Sequence, residues 1–479
     1  MTNRDKKSLL HFIAQAKGEQ ETTFEIFNKT LAQLPAEIGE LDYIENLRLR
    51  NVTVQSFPPE IGQLKALKRL VLKDVFGLVS LPAEIGELTN LESISFENVP
   101  DLTILPDEIG RWVGLRFAVF RKTGLTQLPN SIGRWKKLLT LSLCENSLIG
   151  LPDSFGQLAT LSILKIECSS LESLPWSFGG LNNLVEFWLT STPVKALPDS
   201  LGGLKRLRKI FISGTELVAL PPSLGQLGAL ERLTISYSPL VALPASIGDL
   251  KRLEDLDLTE LPLKELPAEI GELSGLTSLS LSGSQVVELP AAIENLKSLR
   301  LLIVHGGHLK QLPAELGKLS VLRSLFIGGT KLAELPGEIG ELANLTDLTL
   351  RQNLLKALPA ELGQLCGLRQ LSLADNQLSE LPPEIGALYA LDRLNLEGNQ
   401  IESLPDEIGN LKMLRDINLK DNRLRHMPKI LSQLPNLRFE DDHEQKRFLI
   451  LPNPFEDWPE GVYESDYSVW NWLNLDGEE

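Results

Sequence analysis

Along most of the chain, apolar residues recur in one fixed order: a pair two apart, a polar gap, a leucine and proline in succession, then apolar residues three apart. One unit reads Leu342, Leu345, Leu348, Leu350, Asn353, Leu355, Leu358, Pro359, with Gly363 after it. Leu348 and Leu350 lie two apart, so both point to one face of a short strand, while Asp347, Thr349 and Arg351 point to the other. From Leu358 the motif LPxEIGxLxxL spaces its apolar residues three apart. That spacing predicts a loose helical or 3₁₀ turn, with proline at a tolerated entry position and glycine where the chain turns tightly.

Proline marks the period. It recurs from Pro35 to Pro428 in 18 copies, and 15 of the 17 spacings are 23 residues, the other two 24. The residue before it is Leu except at Phe57 and Met427, and glycine follows four residues later except at Glu294 and Ser432. One such unit cannot bury its own apolar face, whereas stacked units can. The predicted architecture is therefore an α/β repeat solenoid, a curved horseshoe with a parallel inner sheet of about 18 strands and short 3₁₀, helical or irregular outer turns. Both 24-residue spacings carry their extra residue between strand and proline, in residues 73–82 and 97–106, which predicts small bulges on one rim near the N-terminal end.

The repeat LxxLxLxxNxLxxLPxEIGxL is similar to the leucine-rich repeat, in the 23-residue form carried by Ras-suppressor-like proteins, plant intracellular Ras-group proteins and bacterial Roco-type repeat regions. The resemblance covers roughly residues 20 to 440. It implies a non-enzymatic scaffold for intracellular signal transduction that binds a protein on its concave face, with small GTPases or kinases among the partners. It also implies that the asparagine six before each proline forms a ladder onto the backbone of neighbouring coils. Asn146, Asn353, Asn376, Asn399 and Asn422 fit. Thr123, Ser169, Thr192, Thr215, Ser238, Ser284 and Thr330 would bond more weakly, and Val52, Leu261 and Gly307 cannot. The middle of the ladder is expected to be less uniform than its C-terminal end.

A stack of leucine coils needs covered ends. Residues 5–17 place Leu9, Leu10, Phe12, Ile13 and Ala16 at helical spacing before Gly18, which predicts a capping helix in residues 1–19. The solenoid then spans 20–440, and 441–479 form a C-terminal cap or an aromatic and acidic tail. The segment SDYSVWNWLNLDGEE either covers the last coil or engages a partner.

Composition narrows the function. There are 63 Asp and Glu against 47 Lys and Arg, a net charge of -16, which disfavours nucleic acid as the partner. Three cysteines, no secretory leader and no long apolar run predict a cytoplasmic protein without disulfides or a membrane span, expected to be a monomer. GxxxxGK[ST], GxSxG, HExxH and CxxC are all missing, so no enzyme, cofactor or metal is expected. His305 and His308 read as polar turn residues, and Trp112 and Trp135 as core fillers. Cys144 and Cys168 fall on neighbouring coils, whose strands lie about 4.8 Å apart, and are either a redox pair or separate free thiols. The alternative function is a bacterial effector or regulator whose repeats recruit a host or cellular enzyme.

The inner face then carries the candidate chemistry. Its early coils are basic, with Arg48, Arg50, Arg69, Lys73 and Arg121, and its middle holds Phe117, Val119, Ile163, Trp188 and Phe211. Later coils bring Asp255 and Asp257, a serine set, then Ile303 and Phe326. Aromatics beside arginine are what interface hot spots are made of. The candidate partner-binding residues are accordingly Arg48, Arg50, Arg69, Phe117, Val119, Arg121, Ile163, Trp188, Phe211, Ile303 and Phe326, centred on Phe117, Trp188 and Phe211.

Overall fold

A computed structural model of the chain describes residues 3–437 and 448–456. They fall into two compact units divided between Leu240 and Val241. The first holds helix α1 (Asn3–Glu19) and strands β1 (Thr23–Gln33), β2 (Asn46–Ser56), β3 (Arg69–Phe76), β4 (Ser93–Val99), β5 (Phe117–Thr123), β6 (Thr140–Asn146), β7 (Ile163–Cys168), β8 (Glu186–Thr192), β9 (Lys209–Thr215) and β10 (Arg232–Ser236). The second holds β11 (Asp255–Asp257), β12 (Ser278–Ser280), β13 (Leu301–His305), β14 (Ser324–Gly328), β15 (Asp347–Thr349), β16 (Gln370–Ser372), β17 (Arg393–Asn395), β18 (Asp416–Asn418) and β19 (Phe448–Leu449). Within each unit consecutive strands pair in parallel, one per coil, and a five-residue 3₁₀ turn follows each proline of the period. This is the repeat solenoid that the apolar pattern predicts.

The core lies between sheet and turns. Leu345, Leu350 and Leu355 are 0% exposed, and each such burial contributes about 1.5–3 kcal/mol. The prolines sit where expected: Pro35, at φ -68°, enters the turn, and its carbonyl accepts the Ile38 N–H at 3.1 Å. The glycines serve a different purpose from the expected one. None in the EIG position has a positive φ; instead a Cβ on Gly62 would lie 2.6 Å from the Glu84 carbonyl oxygen of the next coil. They permit close stacking of coils. The tight, left-handed residue falls elsewhere, just before the ladder position, and is Asn51, Lys122, Glu145, Ser191 or Gly214 in successive examples.

The ladder is strongest where asparagines run in series. Asn399 Nδ2 donates to the carbonyls of Leu373, Leu396 and Glu397, and its Oδ1 accepts the Leu378 N–H at 3.1 Å. In the middle, Thr215 and Ser238 pair hydroxyl to hydroxyl at 2.8 Å, and the buried Thr192 Oγ1 has no hydrogen-bond partner. One assignment is corrected. Ser169 is exposed, and Cys168 takes the ladder place, pairing in register with Asn146 and donating from Sγ to the Leu143 carbonyl at 3.2 Å. That coil has no left-handed residue before its ladder position, so its strand reaches the ladder one residue early.

Where the ladder side chain is apolar, the backbone finds other partners. At Val52, β1 and β2 continue past the left-handed Asn28 and Asn51 and pair again from Lys29↔Val52 to Gln33↔Ser56. In the second unit, asparagines take over these groups from β15 to β18, where each strand is three residues long; β11 and β12 are equally short with Leu261 and Ser284 at the ladder position. The two segments with an extra residue bond to each other: Thr103 donates its N–H to the Val79 carbonyl at 3.1 Å, and Gly77 N–H reaches Asp101 Oδ2 at 2.7 Å.

On α1, Leu9, Ile13 and Ala16 are buried, while Phe12 stays 48% exposed with Lys29 Nζ 5.8 Å from its ring. At the other end, β19 pairs with β18, and Asn453 continues the ladder to the Leu419 carbonyl at 2.9 Å. The aromatic tail from residue 457 onward lies outside the described residues. Among those described, no helix is long and apolar enough to cross a membrane.

Candidate functional site

Strand register decides which outward side chains meet. Lys165, Trp188 and Phe211 are successive register partners on β7, β8 and β9. The Trp188 and Phe211 rings stack at 3.9 Å with 19° between planes, and Lys165 Nζ lies 5.0 Å from the Trp188 centroid. Ring pairing adds about 0.5–1.5 kcal/mol beyond area burial, and the ammonium a further fraction. One height away, Ile163, Glu186 and Lys209 are likewise register partners, with Lys209 Nζ 2.8 Å from Glu186 Oε1. That hydrogen-bonded ammonium is the main cause holding the Glu186 carboxyl below its usual range. The Trp188 Nε1 is buried without a hydrogen-bond partner among the described residues.

The remaining candidates do not join this cluster. Phe117, Val119 and Arg121 lie together on β5, separated from β7 by Thr140, Ser142 and Cys144 of β6. Phe117 is 44% exposed under the Arg116 guanidinium, and Arg121 pairs with Glu145 at 2.7 Å, which lowers the Glu145 carboxyl. Arg50 pairs with Glu25 at 3.3 Å, Arg69 donates to Asn46 Oδ1 at 3.2 Å, and Arg48 has no ion pair among the described residues. Ile303 and Phe326 are partners on β13 and β14 and form a separate apolar patch in the second unit. Three members of the central cluster, Lys165, Glu186 and Lys209, were missed by the sequence reading. The signal was present: Lys165 precedes Trp188 by one period, as Trp188 precedes Phe211.

The two units differ in charge. At the three outward heights before the left-handed residue, β1–β10 present Arg48, Arg50, Arg69, Lys73, Arg121, Lys165, Lys209 and Arg232 against Glu25, Glu97, Glu167 and Glu186. At the same heights the second unit presents Asp255, Asp257, Asp347, Glu397 and Asp416 against Arg351, Arg393 and Lys420.

Among the described residues no three His, Cys, Asp or Glu side chains cluster to hold a metal, and His305 and His308 are both exposed. Cys144 and Cys168 are both free thiols, and burial pushes the Cys168 thiol up to about 12, so its nucleophilic thiolate is scarce near neutrality. Trp112 and Trp135 are buried as expected and also donate their indole N–H to the carbonyls of Ile85 and Ile109. Two recesses exist. One, of ≈ 290 Å³ on the inner face of β15–β19, contains the Arg393–Asp416 pair at 3.1 Å. The other, of ≈ 610 Å³, opens on the outer turns beside Trp176, which is 74% exposed.

Residues 360–447 match the leucine-rich repeat region family. Comparison with curated proteins gives no match. Among solved structures, a leucine-rich repeat protein of Leptospira interrogans is 34% identical, with a TM-score of 0.67, covering 81% of this chain and 99% of that one. The plant peptide hormone receptor RGFR1, in complex with RGF2, is 27% identical with a TM-score of 0.55, over 85% of this chain and 76% of that one. In the glycosylated Toll–Spatzle complex of Drosophila, one chain reaches a TM-score of 0.72 at 22% identity, over 86% of this chain and 58% of that one, a likeness of fold alone. This architecture is commonly a protein-interaction scaffold and typically carries no enzymatic activity. Its repeat, its ladder and a relative matched over nearly its whole length agree, and the chain belongs to the leucine-rich repeat family.

Proposed function

We propose that the chain is a non-enzymatic scaffold that binds a protein partner on the inner face of its first unit. The observation that carries this reading is the Trp188–Phe211 stack under Lys165: a large, rigid, partly exposed aromatic surface framed by charge. Such surfaces lose little side-chain entropy on binding and concentrate affinity in a few residues. Phe117, Val119 and Arg121 form a second contact two strands away, and Arg48, Arg50 and Arg69 the basic margin. In this reading α1 caps one end of the coil stack, residues 441–479 close the other, and the protein works as a cytoplasmic monomer in signalling. Small GTPases and kinases enter through the family resemblance.

The test is affinity capture from native extract with the Trp188→Ala and Phe211→Ala variants. Each is expected to weaken partner binding by about 2 kcal/mol, some thirtyfold, with circular dichroism unchanged. Full recovery of the partner by a folded double variant would sink the proposed surface.

A further inference from the structure

Resting on that reading, we propose that the inner face of β2–β9 recognises an acidic polypeptide segment bearing an aromatic or aliphatic side chain. The whole chain is acidic at -16, yet this face presents seven cations, Arg48, Arg50, Arg69, Lys73, Arg121, Lys165 and Lys209, against Glu97, Glu167 and Glu186. Sequence-wide acidity therefore gives way locally to a basic surface, and a surface of one sign selects and steers a partner of the other. The cations are not all spent internally. Arg50, Arg121 and Lys209 are ion-paired to carboxylates, whereas Arg48, Lys73 and Lys165 form no ion pair among the described residues, although Lys165 acts on Glu186 through space. Lys165 stands directly beside the aromatic stack, so one acidic residue and one apolar neighbour of a partner would engage both at once.

A single-stranded nucleic acid also seeks cations and aromatic faces, but it needs open rings. Here Trp188 is covered by Phe211 at 3.9 Å on one side and by Lys165 on the other, leaving no slot for a base on its faces. In the second unit carboxylates outnumber cations at the same heights, and no aromatic pair there stacks beside a lysine among the described residues.

The experiment is fluorescence anisotropy on the full chain with three labelled probes of equal length. These are glutamates flanking a central tryptophan and leucine, the same peptide with lysine for glutamate, and an oligothymidylate. The acidic peptide is expected to bind, to weaken about tenfold as salt rises from about 50 to about 500 mM, and to weaken about tenfold in Lys165→Glu. Arg393→Glu, in the second unit, leaves it unchanged. Equal binding of the lysine peptide, tighter binding of the oligothymidylate, indifference to salt or no binding at all would each overturn the proposal. If native partner capture still depends on Trp188 while the acidic peptide fails, only the partner chemistry is wrong. If the acidic peptide binds Trp188→Ala as well as the parent, the inner-face centre itself is misplaced.

Discussion

The thiol of Cys168 occupies a place that Asn146 and five other coils fill with an amide, and it donates one weak bond where the Asn399 amide donates three. Burial is the largest cause of its raised pKa, ahead of the nearby Cys144. With iodoacetamide at pH 8, Cys366, which is exposed, and Cys144 are expected to alkylate in the native protein while Cys168 stays unmodified; peptide mass spectrometry checks this. The sign of the pH effect follows. A folded pKa of about 12 against an ordinary 9.0 means the neutral thiol favours the native state fully below pH 9, and this contribution declines as pH rises from 9 towards 12. Alkaline melting curves of Cys168→Ala should lack that component. Spacing alone pointed to Ser169, because counting six back from proline assumes that every strand ends with a left-handed residue. That conformation is a backbone property, and neither Glu167 nor Cys168 announces its absence.

Among the elements, the ladder and the strands share one task, pairing the backbone of each turn, and they trade lengths in doing so. Asn399→Ala would remove three donated bonds and orphan the buried Leu378 N–H, at a cost of about 2–4 kcal/mol. Thr192→Val removes only a hydroxyl that has no partner and is expected to change stability by less than about 0.5 kcal/mol, or to raise it. Urea titration of the two variants measures the contrast. The period, the strand polarity and the 3₁₀ turns were all legible, because each is a local response to apolar spacing or to proline. The role of the turn glycines was not. Close approach to the next coil depends on the pitch of the stack, which no single repeat encodes.

At the scale of the whole molecule, every coil is held by its neighbours, so a defect should spread only locally. Hydrogen exchange followed by mass spectrometry is expected to show faster exchange around β16–β18 in Asn399→Ala, with β3–β6 at parental rates. A uniform rise in both units would mean that the chain unfolds all at once. Candidate binding residues were legible one by one as large side chains at outward positions. Their grouping was not, since Phe117 and Trp188 share a face but stand three strands apart, while Lys165 was passed over although it lies exactly one period before Trp188.

The early ladder position of Cys168 carries a further consequence. Its coil is one residue short before the ladder and one residue long between the ladder and Pro175, so the proline period stays at 23. Two clocks run through each repeat, one for the inner turn and one for the outer, and only their sum must agree with the next coil. A copying error of one residue within a repeat can thus be cancelled inside the same repeat. An array that lengthens by duplication gains from such self-correction, because an imperfect junction need not throw every later coil out of step.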